Sequence, residues 1–227
     1  MNSKKRIIAM IPARIGSERL QFKNLALINN KPLIYYAINA AKKSKVFEKI
    51  YINSDHEIFN KISERYKIKF YKRPKKLGGS NIESDAVVND FLNKVDCEIL
   101  VWINPIAPLQ TYNEISKVVR FFKKSKFDSL ITSIDKQVHG NFNNKPINYK
   151  KDEKFKKTQD LKQIELMVYS LMMWKSASFK KNFNKKKHGI LCGNFTTYKV
   201  NELSGLIVKY ATDLNLIKNI IKARNKN

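Results

Sequence analysis

Residues 6–24 read RIIAMIPARIGSERLQFKN, and they join a short apolar run to a loop that is rich in cations. The apolar run is of the kind found in a buried parallel strand, and Pro12 ends it. The loop that follows offers cations, a hydroxyl group and a glycine that lets the backbone approach a ligand closely: Arg14, Gly16, Ser17, Arg19 and Lys23. Such a set suits a triphosphate. A solvated loop in a lysine-rich protein is the alternative interpretation of the cations.

The rest of the first half alternates between short apolar runs and helical stripes of apolar residues. The short runs predict strands at 50–53, 68–71, 99–103 and 129–134. The stripes predict a helix that begins at Pro32 and further helices over 58–66, 87–95 and 115–122. This alternation predicts an α/β fold with a mostly parallel sheet and helices on both faces.

The predicted sheet brings three loops to one edge. Ligands of such sheets bind outside the carboxyl ends of the strands. The loops that leave those ends span residues 14–23, 53–55 and 104–110. We therefore expect the binding site at that edge.

The second half of the chain loses this regular alternation. Residues 136–160 are polar, lysine-rich and without clear periodicity, and they predict an excursion from the sheet. Apolar residues at 164–174 and alternating residues at 190–200 predict two further strands. A chain of 227 residues is long enough for one domain with a large core. We predict a single domain over 1–227 with an excursion at about 136–175.

The charge of the chain is strongly positive. Lys and Arg number 45 against 19 Asp and Glu, and the formal charge is +26. A nucleic-acid-binding protein concentrates such charge on one face, with Arg and aromatic residues that read or stack on bases. Here the lysines are spread along the chain, which disfavours nucleic acid as the partner. The positive field is expected to attract anionic small substrates, and salt weakens this attraction.

The cysteines and the apolar segments bear on where the protein works. Cys97 and Cys192 are too few for a disulfide framework or a zinc site, so a reducing compartment is expected. The apolar run at the amino terminus is short and continues into the cationic loop, unlike a signal peptide. Apolar stretches fall short of the roughly 20 residues that span a bilayer. We expect a soluble cytoplasmic protein with no membrane partner.

Residues 11–24 resemble the signature IPARGGSKRLPGKN of the sugar-acid cytidylyltransferases, which include the acylneuraminate and 3-deoxy-octulosonate enzymes. The matching positions are Ile11, Pro12, Ala13, Arg14, Gly16, Ser17, Arg19, Leu20, Lys23 and Asn24. KPLIYYAINAAKKSK at 31–45 is similar to the family's GKPLIEYTIEAAKKS, and KIYINSD at 49–55 is similar to IIVSTD. RPKKLGG at 73–79 and INPIAPLQ at 103–110 stand where the family has RPxxLAxD and LQPTSPLR. The resemblance covers the first half well and the second half in patches.

The resemblance implies a fold, a reaction and partners. The fold is a Rossmann-like nucleotidyltransferase sheet with a small antiparallel extension through which two subunits form a homodimer. The reaction transfers CMP from CTP to a sugar acid, here a nonulosonic acid such as an acylneuraminate, with release of pyrophosphate, for surface polysaccharide synthesis. In such a transfer the protein holds the triphosphate in line and neutralises charge on the leaving group.

Position-matched residues carry the site that the resemblance implies. Triphosphate contacts are expected from Arg14, Arg19 and Lys23, with further nucleotide contacts along the loop at Ala13, Gly16 and Ser17. Arg73 stands near the nucleotide in the family, and the small residues Gly78 and Gly79 let the base lie against the main chain. Asn104 replaces a glutamine that contacts the sugar acid. Gln159 and Asp160, within KTQDL at 157–161, resemble a stretch near the sugar site. For Arg73, a surface arginine before a proline is the alternative.

The sequence departs from the family pattern in three places. Glu18 replaces a basic residue, so we expect it to face solvent or to pair with a cation. The loop at 105–110 has lost the hydroxyls and the arginine of PTSPLR. Where the family reads DIDTPEDL and holds magnesium with the first two aspartates, this chain reads IVKYATDL at 207–214. Ile207 cannot bind a cation, and Lys209 would repel one.

Two interpretations of the third departure remain open. In one, the ammonium group of Lys209 takes over part of the charge neutralisation, and Mg²⁺ arrives bound to the triphosphate and water. Arg14, Lys23 and Lys209 are then the catalytic residues. In the other, catalysis is lost and a nucleotide- or sugar-binding protein of the same fold remains. Asp55 and Asp213 are the candidate metal ligands that survive, and a helix cap is the alternative role for Asp55.

Overall fold

A seven-stranded sheet forms the centre of the molecule in a computed structural model that describes residues 6–224. The strands in chain order are β1 (Ile7–Pro12), β2 (Leu27–Ile28), β3 (Lys31–Pro32), β4 (Lys49–Ser54), β5 (Lys69–Lys72), β6 (Ile99–Ile103), β7 (Ser129–Lys136), β8 (Asn141–Phe142), β9 (Lys145–Pro146), β10 (Ile164–Lys175) and β11 (Phe195–Lys199). The α-helices are α1 (Leu33–Ser44), α2 (Ile58–Arg65), α3 (Ser84–Lys94), α4 (Tyr112–Lys124), α5 (Ser176–Lys186) and α6 (Ala211–Arg224).

The central sheet is mostly parallel. Its strand order is β11-β7-β10-β6-β1-β4-β5, and the remaining strands form two short antiparallel pairs, β2-β3 and β8-β9. Strand β1 pairs in parallel with β4 and β6, β4 with β5, and β7 with β11. Strand β10 is antiparallel to both of its neighbours, β6 and β7. The predicted α/β fold with a mostly parallel sheet is confirmed.

Helices cover both faces of the sheet because the central strands are apolar on both sides. Alternate residues of β1 enter different cores: Ile7, Ala9 and Ile11 pack with α1, α2 and α4, whereas Ile8 and Met10 pack with α3 and α5. A strand that is buried on both faces reads as a continuous apolar run, which is why residues 7–11 predicted it. No helix within residues 6–224 combines the length and the apolar character needed to cross a membrane.

The excursion is shorter than the predicted stretch of about 136–175. Residues 137–163 leave the sheet and carry the β8-β9 pair and a 3-10 turn at Thr158–Asp160. The first part of β10 pairs with the end of β7, and a bulge between Met167 and Met172 interrupts this pairing. Residues 171–175 then lie within the central sheet beside β6. Strand β11 also begins later than predicted, at Phe195 and not at Ile190.

Candidate active site

A cleft of about 250 Å³ opens at the carboxyl ends of the parallel strands. The loop after β1, the segment after β5 and the end of β6 form its walls, as expected for loops that leave one edge of a parallel sheet. Its polar walls come mostly from residues that the sequence had singled out: Arg14, Ser17, Lys23, Arg73 and Asn104, together with Asn24 of the same signature. The fold therefore brings these predicted residues together around one space.

The charge of this cleft is positive. Arg14, Lys23 and Arg73 are the charged residues in its walls, and none of the carboxylates within residues 6–224 lines it. Burial lowers the pKa of Lys23, and the positive charges of Arg19 and Arg14 lower it further. A polyanionic ligand would offset this repulsion among cations, so the cleft is suited to such a ligand.

A second cleft of about 440 Å³ adjoins the first and shares Arg14, Ser17 and Gly79 with it. Gly16 and Gly78 also line this second cleft, as does the exposed Glu18. Apart from Gly16 and its two chain neighbours, no residue within 6–224 has a heavy atom within 4 Å of the position that a Cβ atom of Gly16 would take. The loop backbone at Gly16 is therefore open to a ligand, as its sequence predicted.

The cationic loop is held to the fold at both of its ends. The N–H of Ala13 donates to the Asn53 carbonyl oxygen at 2.9 Å, and Asn24 Nδ2 donates to the Arg14 carbonyl oxygen at 3.2 Å. Ala13 is fully buried and lines neither cleft. The prediction that Ala13 contacts the nucleotide is corrected on this ground, since its N–H already pairs with β4. Its role is to anchor the loop.

Arg73, a residue of the cleft wall, forms an ion pair with Asp55, which lines neither cleft. Asp55 Oδ1 lies 3.5 Å from Arg73 Nη2, with exposed side-chain fractions of 15% and 5%. The same oxygen accepts a hydrogen bond from the Ile15 N–H at 3.4 Å. Asp55 therefore joins the arginine to the cationic loop. It does not cap the helix that follows, whose N-cap residue is Glu57, and its role as a metal ligand stays a prediction. The alternative of a surface position for Arg73 is wrong, because the side chain is buried.

Several buried polar atoms in the cleft residues have no hydrogen-bond partner among the described residues. They are Arg73 Nε and Nη2, Trp102 Nε1 and Asn24 Oδ1. A buried polar group without a hydrogen-bond partner destabilises the folded protein by about 1–3 kcal/mol, so such groups are expected where a ligand supplies the missing partner. Asn104 differs, because its Nδ2 donates to the Tyr169 carbonyl oxygen at 3.2 Å and its Oδ1 accepts from the Ile106 N–H at 3.3 Å.

The segment before α6 lies beside the same site. The Val208 N–H donates to the carbonyl oxygen of Ile106, a cleft residue, at 2.8 Å. Asp213 Oδ2 accepts from the backbone N–H groups of Lys209 and Tyr210, both at 2.8 Å. The guanidinium carbon of Arg19 lies 5.9 Å from the ring centre of Tyr210. Lys209 and Asp213 thus lie near the cationic loop in space, although they are distant from it in sequence.

The residues around the cleft do not fit a magnesium ion held by the protein. Mg²⁺ prefers carboxylate oxygens and water in octahedral geometry. Asp55 and Asp213 are the nearest predicted ligands, but Asp55 Oδ1 contacts Arg73 and the Ile15 N–H, and Asp213 Oδ2 accepts from two backbone N–H groups. Residues 6–224 contain no group of three His, Cys, Asp or Glu side chains placed to hold a metal ion.

Comparison with known proteins decides the family. The family model for cytidylyltransferases matches residues 8–177. The chain belongs to the cytidylyltransferase family. The resemblance drawn from the signature at 11–24 is confirmed.

The relatives of this cytidylyltransferase family member differ in how much of their length they share with it. It is 32% identical over 130 residues to an N-acylneuraminate cytidylyltransferase of Escherichia coli O18:K1:H7, an alignment that covers 57% of this chain and 31% of that protein. It is 26% identical over 231 residues to the post-translational flagellin modification protein B of Campylobacter coli, with 96% of each covered. The chain thus spans about a third of the N-acylneuraminate cytidylyltransferases that it matches.

A solved structure has the same fold at low sequence identity. The structure of CMP:2-keto-3-deoxy-manno-octonic acid synthetase complexed with CTP superposes with a TM-score of 0.73. The alignment covers 96% of this chain and 99% of that one at 12% identity. At this identity the likeness concerns the fold alone.

Two of the predicted site residues lie apart from the cleft. Gln159 and Asp160 are exposed in the 3-10 turn of the excursion and line neither cleft. The Gln159 carbonyl oxygen accepts from Gln137 Nε2 at 2.8 Å, which holds this turn to the end of β7. Within one chain, these two residues do not join the other predicted contacts.

Trp102 is a cleft residue that the sequence interpretation missed. It stands two residues before Asn104, and side chains two apart on a strand share a face. This period-two relationship was the available signal. Gln110, which replaces the arginine of the family pattern, is buried and donates to Ser170 Oγ at 3.0 Å, so it supports the fold beneath the cleft.

Proposed function

We propose that this protein transfers CMP from CTP to a sugar acid and releases pyrophosphate. The observation that carries the proposal is the cleft at the strand ends, whose charged residues are all cationic. In the reaction, a hydroxyl oxygen of the sugar acid attacks the α-phosphorus and loses its proton. The bond from the α-phosphorus to the bridging oxygen breaks, and pyrophosphate leaves with the electron pair.

Arg14 and Lys23 line the cleft, whereas Arg19 is exposed on the same loop and lines neither cleft. Arg14, Arg19 and Lys23 bind the triphosphate and hold it in line, and they lower the energy of charge that develops on the leaving group. The open backbone at Gly16 and the hydroxyl of Ser17 add contacts from the same loop.

The other side of the cleft is assigned to the base and the acceptor. The buried guanidinium group of Arg73, whose Nε has no hydrogen-bond partner among the described residues, supplies donors to the nucleotide. Gly78 and Gly79 let the base lie against the main chain. Asn104 is proposed to contact the sugar acid at the end of β6.

The acceptor is proposed to be a nonulosonic acid such as an acylneuraminate, and the role to be surface polysaccharide synthesis in the cytoplasm. The likeness to an N-acylneuraminate cytidylyltransferase supports the acceptor class. A panel of sugar acids tests this assignment, because the correct acceptor gives the highest kcat/KM.

A homodimer is proposed because one segment of the chain leaves several large apolar side chains exposed. They are Phe142, Ile147, Phe155, Leu166, Met167 and Tyr169, on the excursion and the first part of β10. Phe142 and Phe155 are 70% and 73% exposed. Large exposed apolar surfaces mark interaction sites. A second copy of the chain is proposed to cover part of this segment.

The dimer would also account for Gln159 and Asp160. These residues lie on the same excursion as exposed Phe142 and Phe155, so they are proposed to reach the cleft of the partner subunit. Light scattering gives the mass in solution. Mixing a Lys23→Ala variant with a Gln159→Ala/Asp160→Ala variant is expected to restore part of the activity, since each mixed dimer holds one intact site. If activity stays absent after subunit exchange, the residues do not act across the dimer.

The proposed reaction is tested with CTP, Mg²⁺ and a panel of sugar acids, with pyrophosphate release and the CMP-sugar product as readouts. Lys23→Ala should abolish most of the turnover, whereas Lys94→Ala, at an exposed lysine of α3, should not change it. UTP and ATP in place of CTP measure the choice of base. Pyrophosphate release with none of the acceptors would contradict the proposal.

A binding protein without turnover is the second candidate, favoured by the lack of a carboxylate set for metal within residues 6–224. Calorimetry separates the two candidates. If the protein only binds, it binds CTP but forms no product with any acceptor. If it is an enzyme, it binds CTP and forms product with at least one acceptor.

A further inference from the structure

The turn before α6 presents a lysine where the matched family pattern has a metal-binding aspartate. Lys209 is exposed, and its backbone N–H is fixed by Asp213 Oδ2. The N–H of the preceding residue, Val208, donates a hydrogen bond to the carbonyl oxygen of Ile106, which lies in the wall of the cleft. The main chain at Lys209 is therefore held at the rim of the site by contacts on both sides.

The same turn is also tied to the cationic loop. Tyr210 follows Lys209, and the ring of Tyr210 lies near the guanidinium group of Arg19. The positive charge of Lys209 acts on Lys23, and Asp213 opposes this effect. Lys209 thus lies near the cations of the loop after β1, although it lines neither cleft in this structure.

Asp213 acts as a structural residue in this arrangement. Both hydrogen bonds to its Oδ2 come from the backbone of the turn, at 2.8 Å each. They fix the turn in the conformation that presents Lys209. The one carboxylate that survives from the family pattern therefore positions the lysine and is engaged away from a metal.

We propose that the ammonium group of Lys209 contacts the triphosphate and takes the place of a protein-held metal ion in neutralising the pyrophosphate leaving group. This inference rests on the proposed function. Lys209 keeps its proton throughout, while the bond from the α-phosphorus to the bridging oxygen breaks and pyrophosphate takes the electron pair. Magnesium enters with CTP, and free Mg²⁺ beyond the amount of CTP is not required.

The first test measures binding without turnover and without divalent metal. Calorimetry with α,β-methylene-CTP in EDTA is expected to show about tenfold weaker binding for Lys209→Ala than for the wild type. CMP, which lacks the pyrophosphate portion, should bind both proteins equally. Lys209→Arg should keep most of the affinity, and Lys222→Ala, at an exposed lysine of α6, should keep all of it. Thermal unfolding checks that each variant is folded, and Lys209→Gln serves if Lys209→Ala is not.

The second test measures the metal requirement. Pyrophosphate release by the wild type should reach its maximum once Mg²⁺ equals CTP, whereas an Ile207→Asp/Lys209→Asp variant should need an excess. Electron paramagnetic resonance with MnCl₂ should show no bound Mn²⁺ on the wild-type protein and bound Mn²⁺ on the double variant.

The outcomes separate this inference from the proposed function. Equal affinity of Lys209→Ala and the wild type for α,β-methylene-CTP overturns the inference and leaves the proposed function standing. Stoichiometric Mn²⁺ on the wild-type protein does the same. If the wild type binds no cytidine nucleotide, the result contradicts the proposed function and, with it, this inference.

Discussion

Asp55 Oδ1 and Arg73 Nη2 lie 3.5 Å apart, and both side chains are largely buried. Arg73 lines the cleft, and Asp55 contacts it from outside the cleft lining. Asp55 follows β4 and Arg73 follows β5, and the carboxylate also accepts from the Ile15 N–H in the loop after β1. This one pair therefore links three loops that leave neighbouring strands. The shape of the cleft depends on it.

Asp55→Asn is expected to lower the free energy of unfolding by about 3 kcal/mol, because it leaves a buried guanidinium charge without its carboxylate. Urea unfolding measures the change. Glu57→Gln is the matched control, since it removes an exposed ion pair with Lys72, and it should cost less than about 1 kcal/mol. Equal effects of the two changes would contradict the structural role of Asp55.

Gly78→Ala is expected to displace the Asp55 carboxylate and to lower both stability and nucleotide affinity. A Cβ atom at Gly78 would lie 2.6 Å from Asp55 Oδ2, which is closer than atoms can approach. Gly79→Ala is the neighbouring control for unfolding, because its Cβ would meet the nearest atom, Ile82 Cγ1, at 3.6 Å. Urea midpoints of the two variants compare them. A Gly78→Ala protein as stable as Gly79→Ala would argue against close packing at Asp55.

Trp102→Phe is expected to weaken CTP binding about fivefold while it leaves stability unchanged, since the indole N–H has no partner among the described residues. Trp174→Phe should do the opposite. Trp174 Nε1 donates to the Ile190 carbonyl oxygen at 2.8 Å in the core, so its loss lowers stability. Calorimetry and urea unfolding of both variants check this contrast. Unchanged CTP affinity in Trp102→Phe would show that the indole N–H does not contact the nucleotide.

The affinity for CTP is expected to fall as the pH rises, and to begin falling at a lower pH than it would if Lys23 had the pKa of an ordinary lysine. In the protein without ligand, the pKa of Lys23 lies below the ordinary value of 10.5, because of burial and of the positive charges of Arg19 and Arg14. Its positive charge is fully present below that lowered pKa and is lost as the pH rises through it. The phosphates of CTP are already fully deprotonated at this pH, since the highest phosphate pKa is about 6.

Calorimetry from about pH 7 to about pH 10 measures this decline. Lys23→Arg should shift the decline to higher pH, because a guanidinium group stays charged. Lys94→Arg should follow the wild type. An identical profile for Lys23→Arg and the wild type would assign the decline to other groups.

The first half of the fold was predictable because each element there carries a local pattern. Apolar runs such as 99–103 fit a strand that is buried on both faces, and helical stripes identified α1 to α4. The convergence of Arg14, Lys23 and Asn104 was also predictable, since parallel strands end at one edge of the sheet. The antiparallel direction of β10 was not predictable, because an apolar run does not indicate which strands it pairs with.

The sequence by itself determined the layers of this protein, the cationic loop after β1 and the edge at which the site lies, because periodicity and glycine or proline positions act on neighbouring residues. Only the tertiary structure decided the partner of Asp55, the burial of Arg73 and the place of Lys209 beside the cationic loop. Hydrogen bonds and ion pairs form between atoms that are close in space, and these residues meet others from different segments of the chain. Their roles therefore became visible only in the folded chain.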